Sequence, residues 1–135
     1  MPDYLLDTGI LIRHLRQSPG YQSLLERLSQ DGTIYIATLT RTEIIRAMKD
    51  RERKSTFSLL DSLDTLSFDK ETADLAGELI RTLRKNGISL HFADAAIAAI
   101  AILHKLDLIT TNPKDFSMPE LTVWQADEQG NLNPA

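Results

Sequence analysis

The chain places four acidic side chains beside apolar segments, where carboxylates are able to bind a cation or activate a water. They are Asp7, Glu43, Asp94 and Asp115. Each one alone has an ordinary structural explanation. Asp7 and Asp94 fit helix N-caps, Thr40 and Glu43 have the spacing of a capping box, and Asp115 fits a turn. Whether they form a catalytic or metal-binding site depends on whether the fold brings all four together.

Asp7 opens an Asp-Thr-Gly tripeptide that is compatible with two unrelated chemistries. Aspartic proteases use two such aspartates, which share one proton and activate a water. An aspartate at the end of an apolar strand in an α/β fold is also well placed to bind a metal ion. The choice depends on the elements around it.

Hydrophobic periodicity predicts strands that alternate with helices. Strands are predicted at Tyr4–Leu6, Thr33–Ala37, Ser67–Phe68, Leu106–Thr110 and Leu121–Trp124, and helices around Tyr21–Leu28, Ile44–Met48, Phe57–Leu63, Ala76–Leu83 and Ala93–His104. This order predicts an α/β fold with a mostly parallel central sheet and helices on both faces. Aspartic proteases consist almost wholly of strands, so the alternation argues against them.

Ligands of open parallel sheets bind beyond the carboxyl ends of the strands, and the four acids are predicted at that edge. Four converging carboxylates repel one another strongly unless a cation lies among them. The chain has no cysteine and no pair of histidines at ligand spacing. Oxygen ligands alone favour Mg²⁺ or Mn²⁺ over zinc. The set therefore predicts phosphodiester hydrolysis by a metal-activated water.

Four segments carry a resemblance to a known family. They are "YLLDTGILI", "TLTRTEIIRA", "LHFADAAIAAIA" and "LITTNPKDF". In order and spacing they resemble the motifs of the PIN-domain family, particularly the VapC-type toxin ribonucleases of bacterial and archaeal toxin–antitoxin pairs. The resemblance covers essentially all 135 residues. It implies a three-layer PIN-like fold and a homodimeric, Mg²⁺-dependent endoribonuclease that a cognate antitoxin silences.

The resemblance also assigns residues. The family's acidic quartet maps onto Asp7, Glu43, Asp94 and Asp115, with Thr8, Thr110 and Asn112 as polar support. In this scheme Asp7 and Asp94 hold the main metal ion, Asp115 completes its ligands directly or through water, and Glu43 orients the attacking water or a second metal. Gly9 departs from the family, which often has serine or asparagine there, so one hydrogen bond to the site is expected to be missing.

Other interpretations are weaker. His91, three residues before Asp94, is expected to be a loop residue without a chemical role, although it has the chemistry of a general acid. A phosphatase of the haloacid-dehalogenase kind needs a second aspartate two positions after the first, where this chain has Gly9. A non-catalytic PIN-like binding module is expected to have lost at least one of the four acids. The alternatives are therefore a housekeeping PIN nuclease without an antitoxin, or the haloacid-dehalogenase-like phosphatase that Gly9 disfavours.

Charge is distributed unevenly along the chain. The formal net charge is −4, which disfavours nucleic acid as a partner. However, the stretch from Arg41 to Lys54 holds six basic residues against three acidic ones. This stretch is either a solvated helix face or a surface that contacts RNA, and Arg46 and Lys49, on the same predicted helix as Glu43, are the candidate phosphate contacts.

Length and composition predict one domain. A chain of 135 residues with 42% apolar content is long enough for one core, over residues 1–135, with a polar and frayed end from about residue 126 to 135. The start "MPDYLLD" lacks the layout of a signal peptide. The apolar run Ala95–Leu103 is well short of the ~20 residues that span a bilayer. A cytoplasmic location is expected.

Overall fold

A computed structural model describes residues 2–135 of the chain. Strands and helices alternate over most of this length. In chain order the elements are β1 (Tyr4–Leu6), α1 (Thr8–Leu15), α2 (Tyr21–Asp31), β2 (Ile34–Ala37), α3 (Thr38–Ala47), α4 (Arg53–Ser62), β3 (Asp64–Leu66), α5 (Lys70–Lys85), α6 (Phe92–His104), β4 (Asp107–Thr110), β5 (Val123–Ala126) and β6 (Leu132–Pro134). Two short 3₁₀ turns lie at Asp50–Glu52 and Pro113–Asp115.

The strands form one sheet in the order β3-β2-β1-β4-β5-β6. The strands from β3 to β5 in this order pair in parallel, and β6 pairs antiparallel with β5. On the central strand β1, Leu5 pairs with Tyr35 of β2 and with Leu108 of β4. The carboxyl ends of β1, β2 and β4 therefore lie side by side at one edge of the sheet.

The sheet is buried between helices on both faces, as the α/β prediction requires. Tyr4 and Leu6 of β1 belong to a core cluster that includes residues of α1, α2, α3 and α4. Leu5, which points the other way, belongs to a cluster with residues of α6. Because successive side chains of a strand alternate between faces, three residues of β1 are enough to join both halves of the core.

The apolar segment predicted as a buried helix is α6. Its residues Ala95–Ala101 are all buried, and its alanines and isoleucines pack between the sheet and α5. At 13 residues it is a core helix. Within residues 2–135 no helix has the length and apolar character needed to cross a membrane.

Several predicted segments differ from the structure. The strand predicted at Leu121–Trp124 lies two residues later, at Val123–Ala126. The third strand lies at Asp64–Leu66, not at Ser67–Phe68, because Thr65 and its neighbours pair with β2. The end from residue 126 to 135 is not frayed: it forms a turn and the strand β6, paired with β5. The Tyr21 hydroxyl donates to the Asp127 carbonyl at 2.8 Å, and Arg27 donates to the Gly130 carbonyl at 2.9 Å.

A close approach of two glycines allows this packing of the chain end on α2. Gly20 and Gly130 both have positive φ, at 84° and 75°. A Cβ atom on Gly20 would lie only 1.7 Å from the carbonyl oxygen of Gln129. Only a residue without a side chain fits there, so this contact was invisible to hydrophobic periodicity.

Candidate active site

Asp7 lies where β1 ends and α1 begins. Its backbone N–H donates to the Ile109 carbonyl of β4, which holds it at the edge of the sheet. It is the N-cap of α1, and its Oδ1 accepts from the Thr8 N–H at 2.9 Å. Its Oδ2 accepts from the Thr110 hydroxyl at 2.8 Å. The N-cap interpretation of Asp7 is therefore confirmed, and it uses only one oxygen, while a residue of β4 donates to the other.

Glu43 comes from α3 and meets the start of α1. Its Oε1 accepts a hydrogen bond from the Thr8 hydroxyl at 2.7 Å. The capping-box spacing predicts Glu43 in the first turn of its helix, but this is wrong, because α3 begins at Thr38 with Ala37 as its N-cap. The capping box predicted for Thr40 and Glu43 is consequently not formed, and both side chains face Thr8 instead.

Asp94 is in the first turn of α6, whose N-cap is His91 and not Asp94. It is half-buried. The pKa of Asp94 is raised to about 6, mainly by burial and also by the negative charges of Asp7 and Asp115. The nearby His91 acts in the opposite direction. This carboxyl therefore takes up a proton at a higher pH than an ordinary aspartate does.

The pKa of Asp7 is raised as well, for similar reasons. Burial raises the pKa of Asp7, whereas its hydrogen bonds from Thr110 and Thr8 lower it. Glu43 and Asp115 add repulsion that raises it again. The fold thus brings the four carboxylates within interaction range of one another, although they are separated by up to about a hundred residues in sequence.

Asp115 and Asn112 lie on the turn that follows β4, and both are exposed. The Asn112 N–H donates to the Thr110 hydroxyl oxygen at 3.0 Å. Asn112 therefore contacts the site through its backbone N–H, which binds the hydroxyl that holds Asp7. Thr110 is fully buried and links this turn to Asp7.

The donor chemistry of the four carboxylates fits a hard divalent cation. Oxygen atoms are the ligands that Mg²⁺ and Mn²⁺ prefer, and a cation would relieve the repulsion that raises the pKa values of Asp7 and Asp94. Among residues 2–135, however, no three acidic or histidine side chains are arranged as a ready ligand cluster. Metal binding would therefore require side-chain rotation, for which the exposed Asp115 has the most freedom.

The two candidate RNA contacts are not on one helix. Arg46 lies in the last turn of α3, but α3 ends at Ala47, and Lys49 is the N-cap of the following 3₁₀ turn. Both side chains are exposed. The prediction that they share a helix with Glu43 is correct for Arg46 alone.

Two residues gain significance from the structure. A Cβ atom on Gly9 would lie 3.2 Å from the Thr111 hydroxyl, so a serine in its place would be tight against the residue that follows β4. Thr40, which was considered only as a helix cap, is fully buried with its hydroxyl 3.1 Å from that of Thr8. The available signal was its position one turn before Glu43, which places both on one face of a helix.

Comparison with known proteins identifies the family of the chain. The family model described as "PIN domain" matches residues 4–119. The chain is 31% identical over 116 residues to Ribonuclease VapC10 of Mycobacterium tuberculosis, which covers 86% of this chain and 87% of the relative. It is also 31% identical over 119 residues to Ribonuclease VapC19 of the same species, over 87% of this chain and 95% of the relative.

Solved structures give the same result. VapBC2 from Rickettsia felis, bound to a DNA fragment from its promoter, superposes with a TM-score of 0.81 at 27% identity and covers 93% of this chain and 99% of that chain. A toxin–antitoxin complex from Klebsiella pneumoniae superposes with a TM-score of 0.73 at 28% identity, over 87% and 94% of the two chains. The chain therefore belongs to the PIN domain family and is a relative of the VapC ribonucleases.

Proposed function

We propose that this protein is an endoribonuclease that cleaves RNA phosphodiesters with a water activated by Mg²⁺ or Mn²⁺. The observation that carries the proposal is the set of four interacting carboxylates at the carboxyl edge of the sheet, two of which have raised pKa values. Relatives that cover most of the chain are named ribonucleases. Their name and this site support the same chemistry.

Each carboxylate has a role in this proposal. Asp7 and Asp94 would hold the cation, with Asp115 as a further ligand directly or through water. When bound, the cation lowers the pKa of a water molecule and neutralises charge that develops on the phosphate. Glu43 orients the attacking water, because the Thr8 hydroxyl fixes its Oε1. The Thr110 hydroxyl holds Asp7 in place through Oδ2.

We further propose that the protein is the toxin of a type II toxin–antitoxin pair. The support is that similar solved structures are described as VapBC and toxin–antitoxin complexes. A cognate antitoxin is the expected protein partner. Assembly as a homodimer and a cytoplasmic location remain predictions. A PIN nuclease that works without an antitoxin is the alternative, and an adjacent gene for a small DNA-binding protein would favour the toxin.

The decisive experiment is RNA cleavage by purified protein with Mg²⁺, with Mn²⁺ and with EDTA. We expect cleavage only with metal, products with 5′-phosphate and 3′-hydroxyl ends, and loss of cleavage in Asp94→Asn. Asp74→Asn, an exposed aspartate on α5, is the matched control and should cleave normally. Products with 2′,3′-cyclic phosphate, or failure to cleave when only the scissile 2′-hydroxyl is removed, would overturn the water mechanism, because that water does not need this hydroxyl.

A further inference from the structure

Thr40 has a buried hydroxyl with a specific partner next to the site. The residue has 0% exposure and lies on α3, one turn before Glu43. Its hydroxyl oxygen is 3.1 Å from that of Thr8. Thr8 is itself buried and donates to Glu43 Oε1 at 2.7 Å. Three side chains from α1 and α3 thus form one chain of hydrogen bonds.

The direction of these hydrogen bonds follows from the number of hydrogen atoms that each group has to donate. A threonine hydroxyl has one hydrogen to donate, and an ionised carboxylate only accepts. Thr8 gives its hydrogen to Glu43 in the shorter bond, so Thr40 must be the donor in the longer one. The order of donation is Thr40 to Thr8 to Glu43.

The other side of the site has the same arrangement. The Asn112 N–H donates to the Thr110 hydroxyl oxygen at 3.0 Å, and that hydroxyl donates to Asp7 Oδ2 at 2.8 Å. In both cases a second donor occupies the threonine oxygen and leaves its hydrogen for a carboxylate. Such successive hydrogen bonds polarise and strengthen one another.

We propose that Thr40 is a positioning residue that fixes the Thr8 hydroxyl toward Glu43 and thereby sets the orientation of the Glu43 carboxylate. The hydrogen bond to Oε1 leaves Oε2 to orient the attacking water. This inference rests on the proposed function, because it gives Glu43 its place in RNA cleavage. Thr40 acts through Thr8 and touches neither the RNA nor the cation.

The first test compares Thr40→Val, which keeps the side-chain shape without the hydroxyl, with Thr40→Ser, which keeps the hydroxyl. We expect Thr40→Val to lower kcat about five- to tenfold, the effect of one hydrogen bond, at unchanged KM. Thr40→Ser should restore most of the rate. Thr42→Val, an exposed threonine of the same helix, is the matched control and should match wild type. Equal rates for Thr40→Val and Thr42→Val would overturn the proposal.

A double-mutant cycle separates action through Thr8 from a general structural effect. If Thr40 works through Thr8, Thr40→Val should cost nothing further in a Thr8→Val background. Independent, multiplying losses in the double variant would contradict the proposal. Urea unfolding of each variant checks that all of them are folded, and Thr40→Ala, which suits a helix, replaces Thr40→Val if the latter does not fold.

A second measurement does not depend on RNA cleavage. The shift in melting temperature that Mn²⁺ produces is measured for wild type and for Thr40→Val. Because Asp7, Asp94 and Asp115 are the proposed ligands, Thr40→Val should leave this shift unchanged, and a marked reduction would show a general disturbance of the site and contradict the proposal. A wild-type protein that binds Mn²⁺ without cleaving RNA would overturn the proposed function, whereas a wild-type protein that cleaves RNA at the same rate as Thr40→Val would overturn only the role of Thr40.

Discussion

The Thr110 hydroxyl donates a 2.8 Å hydrogen bond to Asp7 Oδ2 and thereby ties the end of β4 to the end of β1. This bond also lowers the pKa of Asp7, against the burial that raises it. One buried hydroxyl therefore supports both the joint between two strands and the charge of a proposed metal ligand.

Replacing Thr110 by Val should weaken metal binding and destabilise the fold. Valine has nearly the same shape, but it leaves Asp7 Oδ2 and the Asn112 N–H without their partner. We expect a loss of about 1–3 kcal/mol in the free energy of unfolding, the cost of unpaired buried polar groups. Urea unfolding measures the loss of stability, and Mn²⁺ titration measures the loss of metal affinity. The neighbouring Thr111→Val is the control, and equal behaviour of the two variants would contradict the role of Thr110.

Metal should stabilise the protein through Asp94. Mg²⁺ or Mn²⁺ at 100 times its dissociation constant should raise the free energy of unfolding by about 2.7 kcal/mol. In Asp94→Asn this gain should shrink markedly, whereas metal-free stability should hold or rise, because the substitution removes repulsion from Asp7 and Asp115. Melting temperatures with and without metal test both statements. An equal metal-induced shift in the two proteins would refute the assignment of Asp94 as a ligand.

The metal-free protein should lose stability as pH rises from about 4 to above 6. The pKa of Asp94 is about 6 in the folded state, above its ordinary value of 3.8. A raised carboxyl pKa contributes stability below the unfolded-state value, and that contribution disappears as pH rises through the folded-state value. Asp7 shifts in the same direction. The difference in unfolding free energy between wild type and Asp94→Asn, measured in EDTA, isolates the share of Asp94, and a difference independent of pH would contradict it.

The same pKa values predict competition between protons and metal. Protonated Asp94 cannot serve as a ligand, so Mg²⁺ affinity should fall as pH drops below about 6. Calorimetry in two buffers of different ionisation enthalpy should show proton release on binding at pH 6. Asp94→Asn should release fewer protons. Binding without any proton release would indicate that the cation does not displace the proton of this carboxyl.

The sequence predicted the sheet edge and its acids better than the details that support them. Apolar runs and their alternation placed Asp7 at a strand end and Asp94 at a helix start, because periodicity reports which elements are buried. They put Glu43 on the correct helix but too close to its beginning. Periodicity did not predict the role of Thr40. A threonine that caps a helix and a threonine that donates a hydrogen bond to a neighbouring helix can occupy the same position in the sequence pattern. The ordered end was missed for a similar reason: the contact of Gly20 with Gln129 depends on backbone approach and not on hydrophobicity.

RNA binding should depend on the basic residues beside α3. Arg46 and Lys49 are exposed, and replacing both with Gln should weaken binding of single-stranded RNA of any sequence. Each lost phosphate contact lowers the slope of log affinity against log salt by about 0.7, so two contacts predict a decrease of about 1.4. Binding is measured in the Asp94→Asn background, which preserves the substrate, at several salt concentrations. Lys70→Gln with Lys105→Gln, exposed at the start of α5 and the end of α6, is the matched control. A decrease of only 0.7 in the slope would indicate one phosphate contact, as expected if Arg46 alone acts, since Arg46 alone belongs to the helix of Glu43.

An unchanged slope would contradict the RNA contact and would leave this stretch as a solvated surface or as a surface that binds the antitoxin. Inhibition of the same variant by its antitoxin would distinguish these two cases.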